Sequence, residues 1–315
     1  MGNHNDKVLN QNLNDKAPDQ QLLIAQLLFT EKPQQAPPEK LQAALEKFVG
    51  AVNNISENPE QPSYAVEKFK AEFKDSMPIP VLASFVGPYD FSAEPDELKS
   101  SQFWDVKNGT ELMNACKYSV SAFSMLSGGL HYKQQAELFL TQIEAALECY
   151  PDCKAIYVPH SGKLTLPSYF YEGRQYGMTQ NFIRTAVNAR FFRISNSEDM
   201  VVDTLGFYAF GAADVQVHFH GMEPGHVVEY VYNIANYLFQ SEFAVKSGDT
   251  LDGIDGDGRI QPYIEWHAQY EDALIQPVRT VLDINCGKFA AGTREDVWSE
   301  FMNPFGLGEK TDRSR

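Results

Sequence analysis

Cysteine is scarce in this chain, four among 315 residues, and histidine is little commoner at seven. Cys116, Cys149, Cys153 and Cys286 are too few and too scattered for a secreted disulfide framework, so reduced thiols are expected. The segment Cys149-Tyr-Pro-Asp-Cys153 spaces its cysteines by three residues, which excludes the two-residue redox and zinc-knuckle spacings and reads as a helix end and a turn. Long apolar runs are also missing. None approaches the ~20 residues that span a bilayer, and MGNHNDKVLNQNLNDKAPDQ (1–20) lacks the apolar core of a signal peptide. Asp6 stands where a myristoylation motif wants Ser or Thr. The expected compartment is the cytoplasm, with no membrane association.

Basic residues are the third shortage. Lys and Arg number 26 against 42 Asp and Glu, a formal net charge of −16, which opposes binding to nucleic acid or an anionic membrane and favours a basic protein partner. No Walker loop, no Gly-x-Gly-x-x-Gly and no Gly-x-Ser-x-Gly elbow occurs. Recognised nucleotide-binding modes and the α/β-hydrolase nucleophile are thereby excluded. His160-Ser161-Gly162 offers a serine without a matching acid and base order.

What remains is a chain with 43% hydrophobic residues, enough to bury a substantial core in roughly two domains. Residues 1–20, rich in Asn, Asp and Gln, are expected as a flexible tail, and so is the Gly- and charge-rich 304–315. Between 21 and 160 the pattern reads as a first α+β unit. LLIAQLLFT (22–30) suits a buried strand, Pro37-Pro38 opens a helix through Leu41, Ala44, Leu45 and Phe48, and EKFKAEFK (67–74) alternates like a half-buried strand. PIPVLASFV (78–86), CKYSVSAFSML (116–126) and KAIYVPH (154–160) read as further strands, and Tyr132 to Leu147 as an amphipathic helix.

Residues 161–187 read as a helical connection, and 188–303 as a second α+β unit. Its strands are ARFFRIS (189–195), MVVDTLGFYAFG (200–211), DVQVHFH (214–220), RIQPYIEWHAQ (259–269) and PVRTVLDIN (277–285), with a helix from Pro224 to residue 240. The expected fold class is α+β: two similar-sized units, each a mainly antiparallel sheet with helices packed on one face.

The second unit resembles the bacterial family catalogued as domain of unknown function 4261. The likeness is carried by TLGFYAFGAADVQVHFHG (204–221), NIANYLF (233–239) and KSGDTLDG (246–253), which repeat that family's Gly-containing strand end, Asp-Gln strand, helix and Gly-Asp-Thr turn. Ala212-Ala213 departs from the Leu-Pro pair expected there. The resemblance implies a fold and a bacterial source and carries no catalytic residue.

The candidate site lies in DVQVHFH. Side chains alternate along a strand, so Asp214, Gln216, His218 and His220 share one face. His226 opens the next helix, and Glu265 and His267 repeat the pattern on a later strand. Imidazoles and a carboxylate form zinc or iron sites when they converge, which would need His218 and His220 to meet Glu265, His267 or His226. Consecutive strands are usually neighbours, so the face is expected to meet the 200–211 strand, which offers Asp203 but no histidine. No metal and no cofactor is therefore expected, and the histidines are expected to hydrogen-bond on a solvated or interdomain polar face. DGIDGDGRI (252–260) fails as an EF-hand loop, because aligning Gly258 with the invariant glycine puts Gly253 and Ile264 at ligand positions.

With no complete catalytic constellation, the sequence favours a non-enzymatic protein-binding module with an acidic surface, of the toxin-neutralising, immunity type. The alternative is a metal-dependent or small-molecule-binding enzyme with a pocket near the His218/His220 strand face.

Overall fold

The computed structural model describes residues 23–70, 79–91 and 100–291. The chain divides into two compact units, one spanning 19–188 and the other carrying the described residues 189–291. The fold is α+β, with two sheets that are mainly antiparallel. The tails expected at 1–20 and 304–315 lie outside the described residues.

The first sheet has seven strands in the order β2-β3-β4-β5-β1-β6-β7, every pairing antiparallel. They are β1 (Ile24–Phe29), β2 (Val52–Asn54), β3 (Ser63–Val66), β4 (Val81–Pro88), β5 (Tyr118–Met125), β6 (Ala155–Val158) and β7 (Lys163–Thr165). Helix α1 (Pro38–Val49) starts at a proline, whose missing N–H costs nothing in a first turn, and buries Leu41, Ala44, Leu45 and Val49. The short α2 (Gly109–Ala115) places Met113 in a cluster with Phe103, Leu28 and Tyr157. Helix α3 (Tyr132–Cys149) opens with a capping box in which His131 and Gln134 each receive the other's backbone N–H region.

Two expectations change in this unit. The strand expected at 67–74 is replaced by β3, four residues earlier, where Tyr64 and Val66 point inward; Glu67–Lys68 turn, and 71–74 lie outside the described residues. Residues 161–187 are not wholly helical. Strand β7 pairs with β6 through Ile156 and Thr165, and only then come α4 (Pro167–Gly173) and α5 (Met178–Ala186).

The second sheet runs β11-β12-β13-β10-β9-β8. Its strands are β8 (Asn188–Arg193), β9 (Met200–Leu205), β10 (Asp214–Phe219), β11 (Thr250–Ile254), β12 (Ile260–Asp272) and β13 (Thr280–Asn285). Only β10 and β13 pair in parallel, a pairing that needs a crossover; α6 (Pro224–Gln240), β11 and β12 supply it. Helix α6 packs on β9 and β10 and buries Val227, Val231, Ala235 and Leu238, the valines and the leucine each contributing roughly 1.5–3 kcal/mol when fully buried. Its Tyr230 meets Trp266 of β12 edge-on at 4.8 Å.

The strand expected at 200–211 stops at Leu205, and Phe207–Phe210 form a 3-10 turn. The reason is local: the Asp214 carboxylate accepts the N–H groups of Phe207 at 3.0 Å and Tyr208 at 3.3 Å, which turns the chain back on itself.

Gly253 sits at a register shift between β11 and β12, and a Cβ there would lie 2.6 Å from the Trp266 ring. Trp266 is buried and held against Tyr230, so the ring cannot retreat. Gly253→Ala is expected to destabilise the second unit by about 1–3 kcal/mol, read as a lower urea midpoint. An unchanged midpoint would show that the contact is slack.

Candidate functional site

The alternation in DVQVHFH places side chains as expected, but the polar face it creates is not solvated. Asp214 and Gln216 have no exposed surface and His218 is 8% exposed. The segment 273–278 joining β12 to β13 lies over this face. Leu274 and Ile275 join Phe192, Ile194 and Val201 in one apolar cluster. Gln216 Oε1 accepts the Leu274 N–H at 2.9 Å, and Arg190 Nη1 donates to the Gln276 carbonyl at 2.8 Å.

Under that cover sits a buried ionic network. Arg190 of β8 grips Asp203 of β9 with two parallel bonds, Nε to Oδ1 at 2.8 Å and Nη2 to Oδ2 at 2.6 Å. Arg279, wholly buried, donates from Nη2 to Asp203 Oδ2 at 2.7 Å and to the Thr204 carbonyl at 2.9 Å. Its Nε reaches Asp214 Oδ2 at 3.2 Å, and its Nη1 reaches the carbonyls of Ile275 at 2.8 Å and Pro277 at 3.1 Å. Burial pushes the Asp214 carboxyl up, opposed by Arg279 and by the Phe207 and Gly206 amides. Burial would lower the Arg279 guanidinium, but the carboxylates of Asp203 and Asp214 overcome it and hold its pKa above the ordinary value.

Asp283 extends the network along β13. Gln216 Nε2 donates to its Oδ1 at 2.7 Å, so one glutamine links a carboxylate to the covering segment. Burial pushes the Asp283 carboxyl from 3.8 up to about 6, against the pull of that hydrogen bond.

The remaining candidates are dispersed. His220 lies beyond the end of β10, 43% exposed, with Nδ1 3.6 Å from Asp199 Oδ1. His226 begins α6 and packs on the 255–258 turn, where a Cβ at Gly258 would lie 2.5 Å from its ring. Glu265 and His267 are exposed on β12, opposite Asp252 and Thr250. Strand β13 separates β12 from β10, so His218 and His267 stand two strand spacings apart, about 10 Å, far beyond a shared metal ion. Among the described residues, no group of three or more His, Cys, Asp or Glu gathers as metal ligands would. Pairing of β10 with β9 puts Gln216 opposite Asp203, as the strand order read from the sequence requires.

Elsewhere, Ser161 is buried in a turn, its Oγ donating to the Val158 carbonyl at 3.4 Å and accepting the Lys163 N–H at 3.3 Å. The four cysteines are free and buried; burial pushes the thiols of Cys153 and Cys286 up to about 12, which leaves them poor nucleophiles at neutral pH.

Residues 203–285 match the family model described as "Domain of unknown function (DUF4261)", so the resemblance read at 204–253 holds across this part of the chain. The matched span contains Asp203, Asp214, Gln216, Arg279 and Asp283, the whole ionic network except Arg190. No curated protein and no solved structure matches the chain.

Two outcomes follow from this geometry. Asp203→Asn strips both guanidiniums of their shared carboxylate and is expected to cost about 3–5 kcal/mol in urea unfolding; a loss below about 1 kcal/mol would mean the arginines find water instead. Asp283 carries a raised pKa in the folded state, so its contribution to stability is complete below 3.8 and is lost as pH rises through about 6. Asp283→Asn should therefore gain up to about 3 kcal/mol on the native protein between about pH 4 and pH 7. A difference between the two proteins that stays constant with pH would show that Asp283 titrates normally.

Proposed function

We propose that this chain is a cytoplasmic bacterial protein-binding module whose acidic surface receives a basic partner, in the manner of a toxin-neutralising immunity protein. The observation that carries the reading is the β11–β12 hairpin, which lies inside the family-matched segment. Asp249, Asp252, Asp257 and Glu265 are exposed along it, and Arg259 is the cation among them. Tyr263 is 75% exposed and Ile260 45% exposed on the same strand. An exposed tyrosine on a hairpin that also carries exposed carboxylates has the composition of a binding hot spot for a cationic surface, where the charges steer and the ring anchors. Asp255 stabilises the hairpin end rather than joining the surface: it accepts the N–H groups of Asp257 and Arg259, both at 3.0 Å.

The enzymatic alternative at the His218 strand face has less support, because the segment 273–278 fills the approach to Asp214 and Gln216. No helix among the described residues is long and apolar enough to cross a membrane, which is compatible with the cytoplasmic reading.

The test is affinity capture from a lysate of the source cell, with the captured protein then titrated against the native chain. A basic protein binding with nanomolar affinity is expected. Neutralising Asp249, Asp252, Asp257 and Glu265 together as amides should weaken it at least about tenfold, mainly through slower association, and Tyr263→Ala should cost about 2 kcal/mol. Retention of no basic protein at low or moderate salt would overturn the proposal.

A further inference from the structure

In the unit spanning 19–188 a small pocket is bounded by α1, α3 and the strands β3, β4 and β5. Leu41 and Leu45 of α1 and Leu82 of β4 give it apolar walls. Three lining side chains carry polar atoms. Tyr64 donates its hydroxyl to the Pro38 carbonyl at 2.6 Å, while Ser84 of β4 and Gln142 of α3, 7% and 4% exposed, each keep an oxygen with no hydrogen-bond partner among the described residues.

The backbone puts both of these side chains on the pocket. In the sheet Ser84 stands opposite Ala122 and Leu82 opposite Tyr64, and side chains two apart on a strand share a face. Ala122, Leu82 and Tyr64 all line the pocket, so the Ser84 Oγ stands on the same side of the sheet. Gln142 lies one helical turn before Ala146, which lines the pocket too. Its Nε2 donates at 2.6 Å to the carbonyl of Phe123, the residue after Ala122. A carbonyl can only accept, so that bond fixes the nitrogen end of the amide against β5 and leaves Oε1 as the end without a partner.

Size selects the ligand. The space a water molecule can occupy here is about 10 Å³, the room of about one water and more than tenfold short of the roughly 150 Å³ that holds a benzene. Two oxygens could also face a small cation, but no carboxylate lines the pocket to balance it, and an unbalanced charge at this depth is strongly disfavoured. A water donates to Gln142 Oε1 and, at its other side, either donates to Ser84 Oγ or accepts from it, which satisfies both oxygens.

We propose that this pocket is a binding site for a single structural water that bridges Gln142 Oε1 to Ser84 Oγ and so links α3 to β4. A high-resolution crystal structure of the full chain should show one water within about 2.5–3.2 Å of both oxygens. An empty pocket, an ordered cation or buffer molecule in it, or a direct bond between Ser84 Oγ and Gln142 Oε1 would overturn the proposal. Ser84→Ala gives a second test, because the sign of its effect differs between the two cases. A hydroxyl bonded to a held water contributes to stability, so its removal should lower the folded-to-unfolded ratio about two- to tenfold in urea unfolding. A hydroxyl buried without any partner opposes folding, and its removal would raise that ratio. An unchanged or raised ratio in Ser84→Ala therefore also overturns the proposal.

Discussion

A fully buried guanidinium, that of Arg279, holds the second unit's strands and its covering segment in one arrangement. Its five donors are spent on Asp203 of β9, Asp214 of β10, the Thr204 carbonyl and two carbonyls of the segment leading into β13. Satisfying all of them at once requires β9, β10 and the 275–277 backbone to converge on a single point. Misregister by one residue would turn Asp203 or Asp214 to the α6 face and strand a charge in a site without water. The network adds little net stability over an apolar core of equal volume, and what it fixes is which register is tolerated.

The same geometry explains why DVQVHF is buried along its whole length. A strand in a parallel pair beneath a crossover is covered on both faces, here by α6 on one side and by 273–278 on the other. Polar residues on such a strand must be bonded within the protein. Asp214 accepts backbone N–H groups and a guanidinium, Gln216 bridges Asp283 to Leu274, and Thr204 Oγ1 donates to Asp214 while accepting the Val215 N–H at 2.9 Å.

Periodicity made the long elements legible: α1, α3 and α6 and the strands near 24–29, 118–125 and 280–285 lie where apolar spacing puts them. Strands β2, β7 and β11 escaped because three to five residues hold too few alternations to register. Alternation in DVQVHFH identified which side chains share a face. It could not distinguish a polar face turned to water from one turned to buried charges, since both read the same along one strand. The distinguishing signal lay on the other strands: Arg190 in ARFFR, Asp203 in VVDTL, and Arg279 and Asp283 in VRTVLD are charges set inside apolar stretches, and opposite charges so placed on neighbouring strands are partners.

The composition of this interior also locates the chain's surplus acid. The network contains two guanidiniums, Arg190 and Arg279, and three carboxylates, Asp203, Asp214 and Asp283. Asp203 is bound by both cations and Asp214 by one, while Asp283 accepts from the neutral amide of Gln216, and burial pushes its carboxyl up to about 6. An interior so close to charge balance absorbs almost none of a formal −16, and the excess must sit outside it. On the β11–β12 hairpin it falls on the edge of the sheet, where exposed backbone would otherwise invite strand pairing. Carboxylates along that edge are the kind of charge that blunts an edge strand against pairing with another chain.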